Sequence, residues 1–569
     1  MSMTGDLREG RMRTVCIPSF GLCPMLVVVI AIGALGTTHP GLAADTASLS
    51  IEAASSEVPS IRDEPVLIAG SALPGFAGQS VDALRVFRFD EATNALVPIP
   101  FQVDERFSKT FNPGTNEEFQ ELVYDVFGEE DGLFDADDEL VFLFGDAGEK
   151  RAPAELSSPS GADPKRYEIR VEDSRSGLQT PDRWVYVLSG TQLARSQTRY
   201  LNWGGLANSD VSSDLMVIAY DGPWRLTELR VRPPCGNGND LIDRLKGRAG
   251  VAPNKGESEE IWNQTSRFLG GKLGPIRAIR YVRGAASGTN TIHHDLIYRR
   301  LFVRRLNLRV HPLNQIWFYF DWLPRTGLTL ITKDDTSGWS IDGVPEVGTP
   351  TAFQPWQIVS GPDGGLAVLW DVPPSPYYEK RSFYYKDDAN YNDAPHQGYT
   401  DDDDASIGSH GIDIFSLGGT STTAIPFGMR VHPLCASQGS AQLGATIESL
   451  KGALHSQIQL QDLHGAPREL NIQRVGSDLR LSWRAPGGQG PFKILGSKDA
   501  SLPTGNWKVL GTISGSTWVQ PGAGTSRPPM IYFYRVDRSG SKLLQRDPNS
   551  GDGRSRAPAI LAPLTSPPS

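Results

Sequence analysis

Eight arginines crowd into one run of strand-like sequence: Arg277, Arg280, Arg283, Arg299, Arg300, Arg304, Arg305 and Arg309. Guanidinium forks pair bidentately with carboxylates, so such a cluster suits an anionic ligand, and a uronate-containing polysaccharide is the matching class. Arg277, Arg280, Arg299 and Arg304 are the candidate ligand-binding residues. His293, His294 and Tyr298 lie between them and are the candidate catalytic groups, able to move protons in a lyase-type elimination. The same arginines could instead pair with the chain's own Asp and Glu, or stand on an exposed strand face.

A second chemistry is held in Glu129-Glu130-Asp131-Gly132-Leu133-Phe134-Asp135-Ala136-Asp137-Asp138-Glu139. A hard cation such as Ca²⁺ wants several oxygen ligands, and a glycine lets the backbone turn so that they converge. Asp131, Asp135 and Asp138 are therefore candidate Ca²⁺ ligands. A register resembling half of an EF-hand or dockerin loop would put Phe127 at the first position, where no side-chain oxygen is available. A solvated acidic turn is the competing arrangement. A second acidic stretch, Lys386 to Asp393 with Asp401 to Asp404 and His410 behind it, could hold Ca²⁺, place a general acid and base on a sugar, or stand as a solvated surface loop. Tyr384, Tyr385, Tyr391 and Tyr399 add aromatic faces that suit sugar recognition.

The elements that must position these groups are short. Gly (60) and Pro (42) break the 569 residues into many brief segments, and long helical stripes are scarce. The length points to roughly three or four domains. A net charge of −10 argues against nucleic acid as the main partner. Strand-like runs over 63–195 predict a β-sandwich carrying the acidic loop; Arg85-Val86-Phe87-Arg88-Phe89 shows the period-2 alternation of a half-buried strand. The stretch 196–437 is denser in strands than a simple sandwich and predicts a large double-layer sheet, with one helix near Asp240–Lys246. A connector spans 438–468. Overall the fold class is mostly β and multi-domain.

Arg8, Arg11 and Arg13, the apolar run Met25 to Leu35 and the small residues ending at Leu42-Ala43-Ala44 have the layout of a secretory signal peptide over 1–44, cleaved before Asp45. A linker follows over 45–62, and no transmembrane span is expected after cleavage. Cleavage leaves Cys235 and Cys435, which have one intramolecular pairing in an oxidising compartment. An extracytoplasmic location follows from these readings.

Two stretches resemble known families. Gly274-Pro275-Ile276-Arg277-Ala278 and the long strands after it resemble the galactose-mutarotase-like supersandwich, which recurs in carbohydrate-active proteins. Leu479-Arg480-Leu481-Ser482-Trp483, Ala485-Pro486-Gly487-Gly488 and Ile531-Tyr532-Phe533-Tyr534-Arg535-Val536 resemble a fibronectin type III module over 469–540. That resemblance implies a spacer or docking domain, with a disordered tail over 541–569. Nucleophile elbows, zincin helices, P-loops and dinucleotide fingerprints are absent from the sequence. The expectation is a carbohydrate-binding β protein, with Trp322, Trp339, Trp356, Trp370, Tyr377 and Tyr378 as loop aromatics. A polysaccharide lyase or hydrolase, and a structural or adhesive surface protein, are the alternatives. Burial of those rings would favour the structural role.

Overall fold

The computed structural model describes residues 60–150, 165–175, 180–251, 255–286, 288–325, 327–391, 405–436 and 440–462, then 468–475, 478–484, 492–497, 508–514, 517–520 and 533–538. The signal-like segment, Asp401 to Asp404, and the tail over 541–569 lie outside the described residues.

The fold is mostly β. Its largest element is an antiparallel sheet of nine strands, in the order Arg267–Leu273, Arg277–Arg283, Ile292–Tyr298, Phe302–Leu308, Ile425–Leu434, Gly364–Asp371, Trp356–Gly361, Leu328–Thr332 and Trp339–Ile341. Its strands are apolar on both faces because both faces are covered. On Gly364–Asp371, for instance, Leu366, Val368 and Trp370 enter the main core. Ala367 and Leu369 point the other way, into a second cluster.

The inner face meets a five-stranded sheet ordered Lys255–Ser258, Ile242–Val251, Leu313–Trp322, Ser406–Leu417, Lys380–Asp388. Ile316, Phe318, Phe320 and Trp322 fill the space between the two sheets. The segment expected to be helical near Asp240–Lys246 is instead part of the Ile242–Val251 strand. Leu245 and Ala249 alternate into the core there, and that burial outweighs the local preference of an isolated Arg-Leu-Lys run.

The outer face of the nine-stranded sheet is covered from two sides. At one end the hairpin of Arg106–Phe111 and Phe119–Tyr124 lays Phe111, Phe119, Val123 and Tyr124 against Ile279, Tyr281 and Leu296. At the other end sits the helix Ala441–Leu450, begun by the Ser440 side chain accepting from Leu443 N at 3.1 Å. Its Ile447 packs against Trp356, Ile358 and Leu369.

The region 63–195 pairs a three-stranded sheet with a five-stranded one. The edge strand of the latter, Leu454–Asp462, comes from the stretch expected to be a connector; it pairs along the whole of Lys165–Asp173. A disulfide joins Cys235 to Cys435 across 200 residues. It ties the turn after Leu226–Val231 to the end of Ile425–Leu434. Further on, two three-stranded sheets form: Arg468–Val475, Asp478–Arg484 and Thr517–Gln520 in one, Lys508–Ile513, Phe492–Ser497 and Phe533–Arg538 in the other. Leu481, Phe492 and Ile494 are buried in this part. Among the described residues no helix is long and apolar enough to cross a membrane.

Candidate functional site

The arginine strands are built as an internal network. Arg277 is fully buried and donates from Nε to Asp104 Oδ2 at 2.9 Å, from Nη1 to the Tyr298 hydroxyl at 2.8 Å and from Nη2 to Glu139 Oε2 at 2.6 Å. Asp104 and Glu139 belong to the 63–195 region, so these bonds cross from one sheet system to another. On the opposite face of the same sheet Asp295 accepts from Arg304 at 2.7 and 2.8 Å, from Arg280 at 3.2 Å and from the Tyr220 hydroxyl at 2.9 Å. The Arg280 guanidinium lies 3.4 Å from the Tyr220 ring centroid. Burial alone would raise the Asp295 carboxyl; the charge and hydrogen bonds of Arg304 overcome it and hold Asp295 well below the usual carboxylate range.

The predicted proton-transfer groups lie beside that network, and Tyr298 is bonded into it through Arg277. His293 is buried, and burial followed by the Arg304 charge holds it neutral. His294, stacked on Tyr281 with centroids 4.9 Å apart, is pushed down to about 3 by burial and then by Arg305. Burial raises the Tyr298 hydroxyl above its ordinary value. Arg299 differs: it is half-buried and pairs with Asp214 at 2.6 Å. Arg277, Arg280 and Arg304 thus adopt the pairing with the chain's own carboxylates; His293 and Tyr298 are buried with them, and His294 is half-buried. Trp322, Trp356 and Trp370, expected on loops, lie on strands and are buried; Trp339 is half-buried and Tyr377 exposed.

The acidic loop divides its three predicted ligands. Asp138 accepts from Arg106 N at 3.1 Å and Asp135 N at 2.9 Å, and burial raises it to about 6. Asp135 accepts from Asp137 N at 3.2 Å. Asp131 stands apart from both and shares a cluster with Glu105 and Glu130, one oxygen of each lying within 4.8 Å of the others. Asp342, Glu346 and Asp387 form a similar trio. There, however, Asp387 is a turn cap, accepting from Asp342 N, Gly343 N and Gly408 N at 2.8 to 2.9 Å. His410 points between the sheets to Gln357 Oε1 at 2.7 Å and is pushed down to about 3 by burial.

The outer face of the five-stranded sheet gathers groups of which the sequence singled out Tyr384 alone. Alternation along Leu313–Trp322 sends Gln315, Trp317, Tyr319 and Asp321 away from the core. Register places Arg248, Trp317, Asp413 and Ser382 in one row, and Lys246, Tyr319, Gly411 and Tyr384 in the next. The Tyr319 and Tyr384 rings lie 4.5 Å apart, the gap left by Gly411 between them. A Cβ at Gly411 would fall 2.0 Å from Phe318 O and 2.7 Å from Tyr319 Cβ. Lys246 donates to Asp321 Oδ2 at 2.5 Å, and Ser409 to Asp321 Oδ1 at 2.7 Å. Glu259 pairs with Arg248 at the edge of the sheet.

Asp413 is incompletely satisfied on this face. Its Oδ2 accepts from Gln315 Nε2 at 2.5 Å, whereas Oδ1 is buried without a fully formed hydrogen bond. Burial raises its carboxyl to about 7, against smaller lowering effects of Gln315, Lys380 and a weak Trp317 donor. Sequence patterning hid this face because both sides of the strand carry aromatics: Trp317-Phe318-Tyr319-Phe320 shows no polar–apolar alternation.

No family model matches the chain. No curated protein matches it in sequence. Among solved structures it is similar to an α-mannosidase from Enterococcus faecalis V583 at a TM-score of 0.36 and 7% identity, over 75% of this chain and 50% of that one. A GalM/aldose epimerase homologue from C. elegans aligns at 0.25 and 9% identity, over 42% of this chain and 100% of that one. Heparan sulfate lyase HepC from Pedobacter heparinus aligns at 0.23 and 12%, over 52% and 42%. The chain spans about half the length of the α-mannosidase. At these scores function has to be argued from the site.

Proposed function

We propose that this is an exported carbohydrate-binding protein whose ligand face is the outer side of the five-stranded sheet. The observation that carries the reading is the placement of Trp317 and the Tyr319–Tyr384 pair among Arg248, Lys246, Asp321 and Asp413 on a face turned away from the core. Sugars present apolar C–H faces and rings of hydroxyls, and aromatic planes beside charged donors and acceptors complement both. Lys246 and Arg248 are buried and paired with Asp321 and Glu259, so the cation that would extend the candidate ligands to anionic polysaccharides is the exposed Lys380, with Arg305 as the exposed member of the arginine run. The disulfide supports an oxidising, extracytoplasmic compartment. The last six strands read as a fibronectin type III-like spacer. The Asp131 cluster with Glu105 and Glu130 is the arrangement through which Ca²⁺ would bind the acidic loop.

The test is affinity electrophoresis of the mature chain against neutral and uronate polysaccharides, with Trp317→Ala alongside. Retardation of the wild type that Trp317→Ala removes, at an unchanged unfolding midpoint, supports the reading; no retardation by any polymer refutes it. A structural or adhesive role is the second reading, favoured by the burial of Trp322, Trp356 and Trp370.

A further inference from the structure

A carboxylate on the outer side of a sheet is normally solvated or hydrogen-bonded through both oxygens, and Asp413 is held through one. It is 7% exposed, and its Oδ1 makes no fully formed hydrogen bond. A buried acceptor left in this state costs free energy, so a fold retains one at the expense of stability. Its neighbours on the sheet are Trp317, Lys380 and Gln315. Trp317, directly across the strand pair, is half-buried. Lys380 on the neighbouring strand is exposed, its Nζ 5.5 Å from the Phe415 ring centroid. Gln315 holds the other oxygen and so fixes the direction of the carboxyl plane.

We infer that Trp317 and Asp413 form one sugar subsite of this face, in which the indole lies under a pyranose ring and Oδ1 of Asp413 accepts a hydroxyl of that ring. Rotation of Trp317 and Lys380 opens the way to Oδ1. The inference rests on the carbohydrate-binding reading above and adds to it the residues and the kind of contact. An ionised carboxylate is the stronger acceptor, and hydrogen bonds to it are shorter and stronger than neutral ones. The subsite therefore favours the charged form. Burial holds that form back until about neutral pH, since the Asp413 carboxyl is raised to about 7. The charged group that faces it is Lys380; Gln315, Trp317 and Ser382 carry no charge, and Arg248 stands beyond Trp317 in the same row. Affinity then falls as the carboxyl takes up its proton, by about tenfold from pH 8 to pH 6.

The experiment is calorimetric titration of the full mature chain with a soluble neutral glucan and with polygalacturonate, at pH 6, 7 and 8, for the wild type, Asp413→Asn and Trp317→Ala. Each variant's unfolding midpoint serves as the control for its fold. The expected result is wild-type binding to one polymer that weakens about tenfold from pH 8 to pH 6. Asp413→Asn should bind more weakly at pH 8 and show no pH slope. Wild-type binding whose pH slope survives in Asp413→Asn overturns the subsite and leaves the carbohydrate-binding reading standing. Absence of wild-type binding to either polymer at every pH overturns both.

Discussion

Arg277 Nη2 lies 2.6 Å from Glu139 Oε2, and this bond joins two sheet systems whose strands are 138 residues apart in the chain. Neither side chain reaches bulk water to any extent: Arg277 is 0% and Glu139 7% exposed. An ion pair removed from water to this degree contributes little net stability, yet removal of one member leaves the other charge stranded.

The asymmetry makes a prediction. Arg277→Met strands Asp104 and Glu139 in the interior and should destabilise the protein by about 3–5 kcal/mol. The triple change with Asp104→Asn and Glu139→Gln should recover most of that loss. Urea unfolding of the three proteins measures it; equal midpoints for the single variant and the wild type would show that the network carries no coupling.

The same residues show how far the sequence could be read. The run of eight arginines was visible, and so were the two arrangements open to it, but a linear sequence does not say which carboxylates come near. Asp104, Glu139 and Asp295 decide that, and two of them come from a region more than a hundred residues upstream. The Cys235–Cys435 pairing was legible because the two cysteines outside the signal-like segment have one way to pair. Strand density over 196–437 was legible as well, since it depends on local composition. The Ile242–Val251 strand was not, because its burial comes from Leu313–Trp322 beside it. Asp413 was invisible for a similar reason: in sequence it is one more acidic residue between two isoleucines.

Gly444 presents a second testable relationship. A glycine inside an exposed helix normally gives way to alanine with a gain of about 1 kcal/mol. Here a Cβ would stand 2.5 to 2.6 Å from three atoms of the Trp356 indole, closer than real contacts allow. Trp356 is itself buried against the nine-stranded sheet and has little room to retreat. Gly444→Ala should therefore lower the unfolding midpoint. A raised midpoint would mean that the helix shifts freely on the sheet.

The disulfide closes a loop of 200 residues. In the chain-entropy account, a loop of that size restricts the unfolded state by up to about 5 kcal/mol. Cys235→Ser with Cys435→Ser should lower thermal stability without altering the far-ultraviolet spectrum. Reducing agent should do the same to the wild type and nothing to the double variant. A reductant effect that persisted in the double variant would place the sensitivity elsewhere.

Asp413 makes the prediction in which stability and binding move in opposite directions. Its carboxyl is raised from an ordinary 3.8 to about 7 in the fold, so the folded state prefers the proton more than the unfolded chain does. The stability that this preference contributes is complete below pH 4 and is lost as pH climbs to about 7, after which nothing further changes. Asparagine keeps an oxygen for Gln315 and carries no charge at any pH. Asp413→Asn should thus match the wild type near pH 4 and exceed it by about 1–2 kcal/mol at pH 8, a figure reduced from the full shift for solvent screening at the sheet surface. Chemical denaturation across that range measures the difference. A difference that grows with pH, together with weakened glycan binding at pH 8, is the pattern of a residue retained for its ligand at a cost to the fold. A difference constant with pH would show that Asp413 is ionised throughout and that its Oδ1 finds a partner in solution.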